Sequence, residues 1–355
     1  MTEVKMISKQ RGLAPFKGQK TDRFPMWYGG APETTRNIME YLGAKSEEEA
    51  LYDILGIDYK TIRPRYTGKP FKVYEDGTAN SEWGIRRGGY HWGQALSHPL
   101  KDVQTIKEVE DYEWPDPRNW DTRISEEDLK KAEGHCLIGG TWAPFFHDSN
   151  ELMGMERFFI EMYESPELCE AIIEQCFNFY YELNKRSFED NPGLIDFYFM
   201  GNDFGSQRGL LTSPNLWRKF YKPYLKKFIE LAHRHGVVTG LHSCGDIHEI
   251  IPDLIEIGLD AINPIQVTAA NMDPEALKKE YGSGIVFFGG IDENEILAYA
   301  GEEEVRKETR RIIDIFGCDY KYIAAASHDY ILPEIPARNI VAMFDEVKKY
   351  GTGKW

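Results

Sequence analysis

Val238-Thr239-Gly240-Leu241-His242-Ser243-Cys244-Gly245-Asp246 is an apolar run that breaks into a glycine-containing turn, after a helical segment ending at His235-Gly236. In an extended strand, residues two apart face the same side. His242 and Cys244 therefore bring an imidazole and a thiol together, able to grip one metal ion or flank one reacting atom. The stretch reads as the floor of an active site.

Outward from this strand, apolar runs and amphipathic segments alternate. Downstream, predicted helices at 247–257, 273–281, 302–316 and 337–350 are interleaved with strands at 261–265, 286–291 and 322–327. Upstream, helices at 214–234, 166–190, 150–164, 125–133, 46–55 and 32–42 accompany strands at 196–201, 136–142, 60–64 and 26–30. Eight strands with helices between most of them predict an α/β protein, a closed (β/α)8 TIM barrel, rather than an open doubly wound sheet. No G-x-G-x-x-G follows the first strand, which argues against dinucleotide binding. Residues 66–100 break the alternation: Asp76-Gly77 is a hairpin signal, and Trp83, Tyr90 and Trp92 lie among glycines. We read this as a β-rich insertion after strand two of a single domain spanning 23–355, preceded by an N-terminal extension over 1–22.

The 355 residues are 42% apolar and 13% aromatic, enough for a sizeable core. A net charge of −16 speaks against binding to nucleic acid or an anionic membrane. Residues 1–20 lack an apolar signal core, and no window of 18 uncharged apolar residues follows. A cytoplasmic enzyme is expected. Five cysteines without a secreted spacing imply reduced thiols, and Cys169 and Cys176, seven apart on a helix, are read as core.

In a barrel, chemistry gathers at the carboxyl ends of the strands. The residues there are Gly29 and Gly30, Arg63 and Arg65, Thr141 and Trp142, Asn202 and Asp203, His242 and Cys244, Asn263 and Gln266, Gly290 and Asp292, and Ser327 and His328. His242, Cys244 and His328 are candidate zinc ligands, since three protein ligands plus an open position is the catalytic zinc arrangement. Asp203 or Asp292 is a candidate oxygen ligand, and Asp203 and His328 are candidate catalytic groups. Asn202, Asn263, Gln266 and Trp142 are candidate substrate-binding residues. H-x-C alone also fits a buried thiol beside a hydrogen-bonded imidazole. Arg63 and Arg65 read as surface residues flanking Pro64, His147 and Asp148 as a solvated loop.

Several motifs in one order carry a resemblance: Gly201-Asn202-Asp203-Phe204-Gly205-Ser206-Gln207, Ser213-Pro214, His242-Ser243-Cys244-Gly245, Asn263-Pro264-Ile265-Gln266, Phe288-Gly289-Gly290-Ile291-Asp292, and Ser327-His328 before Pro336-Ala337-Arg338-Asn339. The chain resembles the uroporphyrinogen decarboxylase superfamily from about residue 23 to its end. The resemblance implies a (β/α)8 barrel and either of two chemistries. Decarboxylases of that superfamily hold substrate carboxylates with an arginine-rich segment after the first strand; here the segment reads Tyr28-Gly29-Gly30-Ala31-Pro32-Glu33, with no arginine before Arg36. Its zinc-dependent methyltransferases, which exchange methyl groups with corrinoid proteins, share the H-x-C pair. Their third ligand, a cysteine, corresponds here to Ser327-His328-Asp329.

The expected function is thus zinc-dependent methyl transfer between a small molecule and a corrinoid on a separate protein. A uroporphyrinogen decarboxylase-type lyase is the alternative, a noncatalytic small-molecule-binding barrel the second. A homodimer is also expected.

Overall fold

The computed structural model describes residues 6–89 and 93–351. Seven parallel strands form one curled sheet flanked by helices: β1 (Tyr59–Thr61), β2 (Cys136–Gly139), β3 (Phe197–Gly201), β4 (Val238–His242), β5 (Ala261–Asn263), β6 (Val286–Phe288) and β7 (Tyr322–Ile323), hydrogen-bonded in that order. This is a TIM-like α/β arrangement. Its strands are nearly continuous apolar runs because both faces are covered: β2 and β3 are buried at every residue.

The expected strand at 26–30 is reduced to isolated bridges, from Met26 to Ala324 and from Gly30 to Ile331. The cause lies at Pro25 and Asp58. Proline has no N–H to give a ladder, and the Met26 N–H goes to the Asp58 carboxylate, 2.8 Å away, instead of a strand carbonyl. The segment still meets both outer strands of the sheet. Ala324 N–H donates to Pro25 O at 2.9 Å, and the N–H of Asp58, just before β1, donates to Met26 O at 2.9 Å.

Two long predicted helices are broken. The segment 150–164 is instead Phe145–Met153 and Met155–Glu164, divided at Gly154, whose φ of 93° no helix accommodates. The segment 214–234 divides at Tyr221 into Pro214–Phe220 and Lys222–Arg234, with Pro223 in the first turn of the second helix, where its missing N–H costs nothing. The predicted helix at 46–55 is a π-helical turn, Glu48–Ile54.

Within 66–100 lie three short antiparallel strands, Ala79–Asn80, Arg86–Gly88 and Gln94–Ala95. Tyr90 and Trp92 fall outside the described residues. Trp83 is buried in the main core, against Trp114, Phe179 and Tyr180. Residues 8–13 form a short helix from which Arg11 reaches Asp58 at 2.6 Å. Arg23 meets the same fully buried carboxylate at 2.7 Å. Among the described residues no helix is long and apolar enough to cross a membrane. All five cysteines are free thiols, and Cys169 and Cys176 are core residues.

Candidate metal and substrate site

Register places the site. In the parallel ladder His242 lies level with Gly201 on one side and Asn263 on the other, all three at the carboxyl ends of their strands. The turn beyond His242 is then pinned amide by amide. Ser243 N–H donates to Asn263 O at 2.6 Å, Cys244 N–H to Asp203 Oδ1 at 2.9 Å, and Gly245 N–H to Gln266 Oε1 at 2.7 Å. Gly245 sits at φ 81°, a conformation that favours glycine. The thiol of Cys244 is thereby turned back over His242, with Sγ 3.3 Å from Nε2.

His242 Nδ1 lies 3.0 Å from Asn263 Oδ1. The Asn263 amide is itself oriented, since its Nδ2 donates to Phe288 O at 3.2 Å. The imidazole must therefore carry its proton on Nδ1, with the Asp329 carboxylate 3.3 Å from the same nitrogen. Nε2 is directed at Cys244 and at Asp203 Oδ1, 3.1 Å away. The donor atoms of Asp203, His242 and Cys244 all lie within 4.8 Å of one another.

The electrostatics follow from this crowding. Burial opposes charge on His242, but the anionic Asp329, Cys244 and Asp203 outweigh it and hold the imidazole well above its ordinary pKa. Burial likewise raises the Cys244 thiol, yet the neighbouring His242 charge and a hydrogen bond from His328 leave it below its usual value. For Asp203, burial is overcome by the neighbouring His242, so its carboxyl lies well below the carboxylate range. A proton on His242 Nε2 thus occupies the place of a cation between the Asp203 carboxylate and the Cys244 sulfur.

Exchange of that proton for a metal ion leaves one nitrogen, one thiolate and one carboxylate oxygen facing one point. That is a donor set zinc accepts, with the second nitrogen of the histidine held by an amide as metal-bound imidazoles require. The residues fit the ion.

The profile of the uroporphyrinogen decarboxylase (URO-D) family matches residues 97–350. The chain belongs to the URO-D family. Its structure resembles a methyltransferase from Methanosarcina mazei with a TM-score of 0.67 and 17% identity, over 97% of this chain and 99% of that one. At that identity the likeness establishes a shared fold. More remote is the IOLI protein with a zinc atom, at a TM-score of 0.38 and 12% identity over 90% of this chain and 96% of that one. No curated protein sequence matches the chain.

In this URO-D member the other expected site residues are distributed as follows. His328 stands with its ring 6.0 Å from that of His242, outside the three-residue donor cluster. Its Nδ1 accepts the Tyr330 N–H at 3.0 Å, which leaves the Nε2 proton for Cys244. That hydrogen bond overcomes burial and pushes His328 up to about 9. Asp292 caps a turn at Asn294. Trp142 packs 5.3 Å from the His242 ring, in space left free by the missing side chain of Gly201.

The amides of Asn202, Asn263 and Gln266, expected to read a substrate, are engaged with the protein itself. Asn202 joins Phe146 N and Ala143 O, and Gln266 holds Gly245. Arg65 is exposed beside Asp121. Arg63, expected at the surface, turns inward to Gly140 O and Phe199 O, its guanidinium over the Trp142 ring.

A cavity of about 660 Å³ opens over the cluster, lined by Trp142, Asp203, His242 and His328 on one side. Its lining also includes residues that the sequence alone places elsewhere or leaves unassigned. His147 is on a helix rather than a solvated loop, and its Nε2 accepts the Asp203 N–H at 3.0 Å. Asp148, Glu151, Tyr180, Glu82 and Arg87 also line the space. Adjacency to His147 and His328 was the only available signal, and it pointed to Asp148 and Asp329 alone.

Proposed function

We propose that this URO-D family member is a zinc-dependent methyltransferase that moves a methyl group between a small molecule in the 660 Å³ cavity and a corrinoid on a separate protein. The proposal includes closure of the parallel sheet as a (β/α)8 barrel, with residues 25–27 between β7 and β1. The observation that carries it is the convergence of Asp203, His242 and Cys244 within 4.8 Å of one another, with Asp203 and His242 lining that cavity. When bound there, zinc would supply Lewis acidity toward a heteroatom of the methyl donor, or a lowered pKa for a bound thiol or water.

The chain's own residues do the rest. Asn263 holds the His242 tautomer, and Cys244 N–H holds the Asp203 carboxylate in place. His328, with its Nε2 proton directed at Cys244, is placed to hydrogen-bond a departing heteroatom at the same point. Trp142 covers the inner side of His242 and excludes water from it. The cavity mouth is left for the corrinoid protein to cover.

The lyase reading fares worse on charge. A polycarboxylate substrate needs several cationic partners, and Arg87 is the only arginine or lysine lining the cavity among the described residues. It already pairs with Glu151.

The test is zinc content and methyl transfer to free cob(I)alamin by wild type, Cys244→Ala and His242→Ala. The expected result is about one zinc per chain, lost in both variants together with transfer. Full transfer by metal-stripped protein overturns the proposal.

A further inference from the structure

The charged side chains that line the cavity answer one another. Asp203 and Asp329 stand 3.1 Å and 3.3 Å from the two ring nitrogens of His242, and Glu151 pairs with Arg87. Asp148 lies 3.7 Å from the same guanidinium and accepts the Tyr180 hydroxyl at 2.6 Å. Burial pushes the Asp148 and Glu82 carboxyls up, towards their neutral forms. The imidazole of His147, in contrast, is committed on one nitrogen only.

His147 lines the cavity from the helix Phe145–Met153, its ring 5.4 Å from that of Phe146 and its side chain 32% exposed. Its Nε2 accepts the Asp203 N–H at 3.0 Å. A main-chain N–H can only donate, and a proton on Nε2 would point straight at it, so the ring carries its proton on Nδ1. The Asp203 carboxylate does not compete for Nε2, since Oδ2 is 3.5 Å away, beyond hydrogen-bond reach. Among the described residues no group accepts the Nδ1–H, and Nδ1 is not one of the buried polar atoms left without a partner. It is therefore an accessible donor, fixed in direction by the main chain of a candidate metal ligand. A few polar groups held in this way are what orient a ligand in a cavity of this size.

We infer that His147 is a substrate-recognition residue, whose Nδ1–H donates to an oxygen acceptor on an uncharged small molecule bound in the cavity beside Asp203. That this molecule is the methyl donor rests on the function proposed above; its recognition by His147 does not. An ammonium has no lone pair with which to accept the N–H. An anion is disfavoured by the carboxylates of Asp203, Asp329 and Glu151 around the same space, with Arg87 already paired. An uncharged acceptor meets neither objection.

The test joins a calorimetric titration of the full chain to nitrogen NMR spectra of its isotope-labelled histidine rings. The probes are acetophenone, which offers a carbonyl acceptor, its apolar isostere isopropylbenzene, benzoate and benzylamine. The His147 signals, identified by their loss in His147→Gln, are expected to show the Nδ1–H tautomer and to shift when acetophenone is added. Acetophenone is expected to bind roughly tenfold more tightly than the isostere or either charged analogue. His147→Gln keeps an acceptor for the Asp203 N–H and displaces the donor from the Nδ1 position. It is expected to weaken acetophenone by roughly tenfold and leave isopropylbenzene unchanged. An Nε2–H tautomer, no saturable acetophenone binding, equal affinity for the two neutral probes, tighter binding of benzoate or benzylamine, or a His147→Gln effect that is absent or equal on both neutral probes overturns the inference. The same titration on Cys244→Ala separates the two readings. Acetophenone recognition by protein that holds zinc in no preparation keeps this inference and removes zinc-dependent transfer; zinc binding and methyl transfer without that recognition do the reverse.

Discussion

At His242 the two ring nitrogens have separate tasks, and Asn263 divides them. With Nδ1–H committed to Asn263 Oδ1, Nε2 is the atom that faces Cys244 and Asp203. Asn263→Ala removes that constraint without touching a ligand. Zinc affinity is expected to fall by about 10- to 100-fold, read by competition with a chromogenic chelator. Cys244 offers a second check through pH. Its thiol is held below the ordinary value, so in metal-stripped protein its thiolate persists to lower pH than that of an ordinary cysteine. Iodoacetamide labelling at neutral pH is expected to favour Cys244 over exposed Cys318, and added zinc to protect it. Labelling of Cys318 first, unaltered by zinc, would count against the assignment. The H-x-C pair was readable in the sequence as a strand end, but the strand stops at His242 and it is the pinned turn, not strand periodicity, that brings Cys244 over the ring. Asp329 and His147 were not, because their contacts with His242 and Asp203 cross long separations in the chain.

The elements bear on the site through the places where one leaves room for another. Gly201 ends β3 beneath the Trp142 ring; a Cβ added there would lie 1.9 Å from the ring. Gly201→Ala must displace Trp142 from its place beside His242, at a cost of about 1–3 kcal/mol, seen as a lower urea midpoint and a shifted tryptophan emission maximum. At the opposite end of the sheet, Asp58 is fully buried between Arg11 and Arg23 and also caps Met26. Asp58→Ala leaves two guanidiniums without that carboxylate, and a loss of about 3–5 kcal/mol is expected in urea unfolding. An unchanged midpoint would show that water replaces the carboxylate there. Strand and helix existence followed from the alternation of apolar runs. The loss of the 26–30 strand did not, since it depends on what distant Asp58 offers to the Met26 N–H.

Among the described residues, the larger of two hydrophobic clusters runs from Phe24 to Val347 and takes in Trp83 and Ile85 of the 66–100 segment. Far-UV circular dichroism and tryptophan fluorescence are therefore expected to report one coincident unfolding transition. Two separated transitions would mark the segment as an independent unit. By itself the sequence determined the parallel α/β architecture, the order of its strands and the H-x-C pair at a strand end, because these rest on local periodicity and on glycines whose backbone no other residue adopts easily. The tertiary structure alone decided which carboxylate joins the pair, which way His242 presents its free nitrogen, and that His147 lines the cavity. Those outcomes depend on strand register and on helix packing across long stretches of chain, where burial raises the energy of every unpaired charge and so selects the partners that remain.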